Sequence, residues 1–456
     1  MSVYKLLNLP CSTPGRSICI WLAIGVVVVS ASGCTTYSSS FAAIERNLAA
    51  QQYDAALLDI EQQSSSKSDR VLYLLNKGMV LRMKRDFVAS NQSLEAAKAE
   101  MDRLYAASVS ENTLSFIVND ATVSYVGDDY EQVLLHLYLA LNYLELGQVD
   151  EARVEALQLD AKFRELGEKT DDSKFTENAF SRYLTGMIYE ASGEWSDAMI
   201  AYRKAYEAYK KYPSDFELAM PTLLKHDLLR VTQQMGLSDE LAKYKDEFGL
   251  DQRNKVDSPQ WGEMIFVLSN GLAPIKRETA VPLIDPTTGI LARIALPHYE
   301  SRLNDVVSAR ITVSGKQVVT ELMEDVDAVA RQKLNSRMGA ITARSLARAV
   351  AKITASKAAQ QSALRQNSDD AATMGMLGAF AVQVTALATE RADTRSWLTL
   401  PADLQLARMS LPAGTYGIRV ELWGEGGQVI ASTEYPEVVI SKSRKTFLTQ
   451  HWIPAQ

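Results

Sequence analysis

The stretch Gly186–Ala205, GMIYEASGEWSDAMIAYRKA, decides how the first half of the chain folds. Gly186, Tyr189, Gly193, Trp195, Ala198, Tyr202 and Ala205 follow one another at intervals of 3, 4, 2, 3, 4 and 3. Intervals of three and four hold side chains on one face of a helix, and the interval of two marks a break. The pattern predicts two helices joined by a tight turn at Gly193, where glycine tolerates a positive φ. Small residues on both helices let their backbones approach. Two earlier stretches keep the same register: Ala140, Tyr143, Gly147, Val149, Ala152, Ala156 and Leu159, and before them Gly78, Leu81, Arg85, Phe87, Ser90, Leu94 and Ala97.

This succession of small, aromatic, glycine and small positions resembles the tetratricopeptide repeat. A further second helix is expected at Tyr53 and Ala56, since Ala56 lies 34 residues before Ser90, and Leu223–Tyr244 reads as a worn final repeat or cap. The starting points Gly78, Ala140 and Gly186 are separated by 62 and then 46 residues, so Met101–Glu131 and Phe163–Lys174 carry extra material. The resemblance implies a helical solenoid over residues 41–250, with a concave surface that takes a peptide or helix. Asn76, Arg82, Asn142, Glu145, Arg182 and Glu190, on the first helices, are the candidate groove residues.

The N-terminus carries an address. Met1–Arg16 holds Lys5 and Arg16 with no acid, Ile18–Val29 is almost wholly apolar, and Ser30, Ala31, Ser32 and Gly33 lead into Cys34. Charged, apolar and small segments in that order make a secretory signal over residues 1–33. Ser-Gly-Cys resembles the lipobox of bacterial lipoproteins, although Ala31 stands where that pattern usually has leucine. The resemblance implies a diacylglyceryl group on Cys34. With Thr35 rather than aspartate following, it implies an outer-membrane anchor facing the periplasm. Residues 34–40 then read as a lipidated tether, the polar part being Thr35–Ser40.

Composition narrows the function classes. Of three cysteines, Cys11 and Cys19 leave with the signal, so no internal disulfide is expected in the mature chain. Loss of Lys5 and Arg16 takes the formal charge from -7 to -9, which argues against nucleic acid as a partner. His136, His226, His298 and His451 are too widely spaced for a zinc site, and neither a nucleophile elbow nor a phosphate loop occurs. Asp128 and Asp129 beside Glu131 are the one acidic group considered for a cation. The expectation is a non-enzymatic protein with no cofactor and no metal.

Near Asp251 the period changes from helix to strand. β-Rich runs at Met264–Leu268, Ile290–Leu296, Val307–Val313 and Gln317–Leu322, with a turn at Ser314-Gly315, precede a long helix over Asp325–Gln366. A second helix is expected at Thr373–Ala392 and strands resume after Trp397. The class is therefore α+β: a tetratricopeptide-like solenoid, then an antiparallel β-sandwich-like domain over 251–456 with a helical hairpin inserted at about 325–392.

The long helix is basic, with Arg331, Lys333, Arg337, Arg344, Arg348 and Lys352 among its eight cations and no acid between Ala328 and Ser368. Arg337, Arg344, Arg348 and Lys352 are candidates for anionic lipid or an acidic partner. Ala371–Thr389 is uncharged and is read as buried, with membrane insertion as the alternative. The segments Tyr125–Ala156 and Ala392–Tyr416 resemble an uncharacterised group of proteobacterial lipoproteins, which implies envelope location and no activity. Two readings follow: an adaptor for another envelope protein or peptide, or a structural subunit of an oligomeric secretion or surface-polymer assembly, hence a homo-oligomer.

Overall fold

A computed structural model describes residues 37–63, 66–110, 123–169, 178–250, 260–284, 291–364 and 390–455. The expected signal segment, Cys34, the 371–389 run and the middle of the 101–131 insertion lie outside them. The first helices are α1 (Tyr37–Ser40), α2 (Ala42–Ala49), α3 (Tyr53–Gln62), α4 (Arg70–Met83) and α5 (Phe87–Ser110). Then come α6 (Asp129–Glu145), α7 (Val149–Lys169), α8 (Ala179–Ala191), α9 (Trp195–Asp215), α10 (Thr222–Gln234) and α11 (Ser238–Phe248).

The three sequence registers are the three hairpins α4–α5, α6–α7 and α8–α9, and α10–α11 is a fourth pair. Gly147 and Gly193 make their turns with φ of +71° and +78°. Arg85 holds the equivalent position with φ +66°, which only glycine adopts at little cost. Gly186 faces the ring of Tyr202 so closely that a β-carbon there would run into it. The extra material after Ala97 and Leu159 partly lengthens helices, since α5 runs to Ser110 and α7 to Lys169.

One expectation is corrected at the start of the fold. Tyr37–Ser40 is helix α1 rather than free tether, with Ser38 and Phe41 buried and the Tyr37 hydroxyl accepting a hydrogen bond from Asn76 at 2.8 Å. An aromatic ring with somewhere to pack overrode the polar serines. Only Thr35 and Thr36 separate Cys34 from the described body.

The strands are β1 (Trp261–Asn270), β2 (Ile275–Ile284), β3 (Leu291–Glu300), β4 (Ser308–Val313), β5 (Lys316–Val319) and β6 (Glu321–Asp325). Helix α12 (Val326–Leu364) follows, then β7 (Asp403–Pro412), β8 (Gly414–Trp423), β9 (Val429–Ile440) and β10 (Lys445–Trp452). One sheet has the order β10-β1-β7-β6 and another β5-β4-β8-β9, while β2 and β3 form a two-stranded ribbon. The turn at Ser314-Gly315 has two positive φ angles, +48° and +78°, as the two-residue hairpin between β4 and β5 requires.

The sandwich is not wholly antiparallel. β1 and β10 run parallel, Glu263 opposite Lys445 through Asn270 opposite Trp452, because the last strand returns beside the first of the β region. β2 is also a strand, one that is absent from the β-rich runs read in the sequence. It pairs with β3 along its length, with Pro282 opposite Arg293. The long helix continues through Gly339 as one element.

Alternation along β1 explains the layering. Met264, Phe266 and Leu268 point to the second sheet, where they meet Ile311, Ile418 and Val420. Ile265 and Val267 point the other way and join the core of the helices. The first sheet is thus buried on both faces, and helices, sheet and sheet stack as three layers.

Gly186→Ala is expected to destabilise the protein by about 1–3 kcal/mol through overpacking against Tyr202. Gly167→Ala, on α7 with open space around it, is expected to be neutral or stabilising by up to about 1 kcal/mol. Denaturant midpoints of the two variants measure the difference.

Candidate functional site

The first helices α4, α6 and α8 carry the candidate groove residues; Asn76, Arg82, Glu145 and Glu190 meet the second half of the chain, and Asn142 and Arg182 bond within the repeats. Asn76 accepts at Oδ1 from the Thr399 amide at 3.2 Å and its hydroxyl at 2.9 Å. Arg82 donates to Thr449 Oγ1 at 2.8 Å and to Asn142, whose amide reaches Ser90 and Asn91 at 2.9 and 2.8 Å. Glu145 accepts from the Thr449 amide and hydroxyl at 2.5 and 2.7 Å. Burial, opposed by Glu145, pulls the Arg82 guanidinium down to about 10.

Glu190 binds Lys445 of β10 at 2.8 Å, Arg230 at 2.7 Å and the Tyr202 hydroxyl at 2.7 Å. Against the raising effect of burial, those cations hold its carboxyl well below the usual range. Arg182 stays within the repeats, pairing with Asp160 of α7 and stacking over Phe163 at 4.0 Å. The expectation of an open groove lined by these six residues is therefore corrected. Side chains with polar heads on an inner helix face fit a peptide and a sheet edge equally well, and β10, β1 and residues 397–400 occupy that face.

Two buried clusters fasten the sheet to the repeats. Arg408 on β7 pairs with Asp227 on α10 and with Glu263 on β1, the latter at 2.5 Å. Lys445 adds Glu263 at 2.6 Å, and Arg230 adds Asp227 at 2.9 Å. Three cations and three carboxylates close the network, with the Tyr183 hydroxyl donating to Asp227 at 2.6 Å. Nearby, Glu324 of β6 is enclosed by the Tyr212 hydroxyl, 3.1 Å from both carboxylate oxygens, and the Phe180 amide at 3.5 Å. Burial raises the Glu324 carboxyl to about 8.

A cavity of about 740 Å³ opens between the start of α6, the β2–β3 ribbon and α12. It brings together a set of charges far apart in sequence. Asp128 and Glu131 form a reciprocal capping box at the start of α6. Asp128 also takes two cations, Lys276 at 3.0 Å and Arg337 at 2.5 Å, while Asp129 pairs with Lys333. Arg395 spans Asp393 at 2.8 Å and Asp69 at 3.2 Å, and its guanidinium sits over the Tyr125 ring. Arg348 lies deeper, 3.2 Å from Glu390, which also binds Lys352 at 2.7 Å.

Against burial, Lys276 and Arg337 hold Asp128 below its ordinary range, whereas burial and Asp128 push Glu131 up. Asp128 and Asp129 thus hold lysine and arginine, and among the described residues no cluster of three or more potential ligands could hold a metal. Of the four basic-helix candidates Arg337, Arg344 and Arg348 line the cavity and Lys352 does not, while Lys276, Arg391 and Arg395, which complete the cationic wall, were not legible in the sequence. They come from a strand and a connector with no local pattern to betray them. His136 is buried and bonded to Glu155 at 2.7 Å.

No family model matches the chain, and no curated protein matches it. Among solved structures, the crystal structure of MamA is similar at 14% identity, covering 45% of this chain and 91% of that one, with a TM-score of 0.29. The TPR2AB-domain:pHSP90 complex of yeast Sti1 is similar at 14% identity, covering 46% of this chain and 74% of that one, with a TM-score of 0.20. Likenesses of this size carry nothing about function.

Arg408→Met is expected to cost about 3–5 kcal/mol, because Asp227 and Glu263 are left buried with too little opposing charge. Arg419→Ala, which breaks an exposed, solvent-screened pair with Glu434, should leave stability essentially unchanged. Equilibrium denaturation compares them.

Glu324 supplies a pH test. Between the ordinary carboxyl value of about 4.3 and the folded value of about 8, the folded chain keeps a proton that the unfolded chain releases. Its contribution to stability therefore falls as pH rises through that window. Glu324→Gln should unfold at a higher temperature than the parent at pH 8, with the advantage shrinking towards pH 5.

Proposed function

We propose that this protein is a non-enzymatic envelope scaffold, anchored through a lipid on Cys34 to the outer membrane and facing the periplasm. Its repeats would serve protein–protein contact through their outer face. The observation that carries the interaction reading is a row of exposed apolar side chains on the second helices of successive hairpins. Leu58 on α3, Val88 on α5, Val154 and Leu157 on α7, and Ile200 on α9 are between 46% and 63% exposed. Repeat arrays commonly present their concave side to partners. Here the chain's own sheet covers that side, which leaves the outer helices as the accessible repeated surface.

The anchored reading is supported by the N-terminus. The three Cα–Cα steps from Cys34 to Tyr37 at the start of α1 span at most about 11 Å, so an acylated Cys34 would hold the body against the bilayer. No helix among the described residues is long and apolar enough to cross a membrane.

Intact-mass analysis of protein purified from membranes should find acyl groups on Cys34, and Cys34→Ala should remove them. A photo-crosslinker at Val154 should capture a partner, and Val154→Glu with Ile200→Glu should abolish the capture while thermal unfolding is unchanged. Cross-links only to other copies of the chain would favour the structural-subunit reading instead, which the exposed Ile284 and Val350 of the ribbon and α12 also suit.

A further inference from the structure

The cavity beside α12 has three properties that together specify a ligand. The first is charge. Seven of its described lining side chains are cationic and three are acidic, and one carboxylate, Asp128, serves both Lys276 and Arg337. Positive potential is therefore held in place by the fold, in a protein whose overall balance is acidic.

The second property is mixed chemistry. Val126, Leu334, Ile341 and Pro297 supply apolar wall beside the cations, and the volume lies within the range of small-ligand sites. A bare inorganic anion would leave that wall unused. An amphiphile with an anionic head would use both.

The third is position. Arg395 of the cavity wall pairs with Asp69, and Asp69 lines a small cleft together with Tyr37, the first described residue. The cavity thus lies one ion pair from the place where the chain leaves Cys34.

We propose that this cavity seats the phosphate-bearing headgroup of an anionic phospholipid. It rests on the lipid-anchored reading for its nearness to the bilayer, and it adds a headgroup contact to the acyl anchor. Arg337 and Arg344 on α12 meet the phosphate, Lys276 and Arg395 set the potential behind them, and the apolar wall takes the glycerol and first methylenes. One covalent anchor gives reversible attachment, and a second, electrostatic contact would both strengthen it and fix the orientation of the body.

The test is native mass spectrometry of the whole protein purified from membranes in detergent, titrated with phosphatidylglycerol, phosphatidylcholine or sn-glycerol 3-phosphate. The expected result is one retained phosphatidylglycerol, with weaker retention of the other two. Arg337→Gln with Arg344→Gln should weaken that retention about thirtyfold, near 1 kcal/mol per cation at 1.4 kcal/mol per decade. Lys210→Gln with Lys211→Gln, an equal loss of charge on exposed α9 positions, should leave it unchanged. Equal retention of phosphatidylcholine, or equal loss in both double variants, overturns the proposal. Glycerol phosphate bound as tightly as the lipid overturns it too, assigning the cavity to a soluble phosphate compound. The same spectra report the acyl mass on Cys34, so failure of the anchor and failure of the headgroup site are read separately.

Discussion

Arg408 and its buried partners hold the architecture in register. A sheet with both faces covered must satisfy its polar groups inside the protein. The edge that meets α8 and α10 does so with Arg408, Lys445 and Arg230 against Asp227, Glu190 and Glu263. Each of these groups is costly to bury alone and acceptable only when all are present. Such a network adds little net stability over apolar packing, yet it penalises any shift of the sheet along the repeats. Thr449 does the same further along β10, bridging Arg82 and Glu145.

That constraint changes what the repeats are for. Their inner face is a wall of the core, continuous with Ile265, Val267 and Trp397, and Trp397 packs edge-on against Tyr138 at 6.1 Å. Tyr37 is drawn into the same system through Asn76 and Thr399, so the first described residue is fixed to the centre of the molecule. Helix α1, the cationic cavity and the sheet are therefore joined through one set of contacts.

Much of the local structure was legible. Three hairpins followed from the shared register of Gly78, Ala140 and Gly186, because helix–helix contact demands small residues at fixed intervals. The β4–β5 turn was legible at Ser314-Gly315 because two consecutive positive φ angles select such residues. β2 was missed since its prolines and charges mask a ribbon strand whose edge needs few ladder bonds. The parallel pairing of β10 with β1 was missed because partner choice across 180 residues leaves no local trace.

By itself, the sequence determined the helical repeats, the change of period near residue 251 and the basic helix. All of these depend on residues within one or two turns or strands of each other. Only the tertiary structure decided what Asn76, Arg82, Asn142, Glu145 and Glu190 touch, and which carboxylates stand opposite the basic helix. An asparagine or arginine on an inner helix face is the same residue whether it meets a peptide, water or the chain's own last strand. Its role is set by whatever desolvates it, and that depends on long-range packing rather than on spacing.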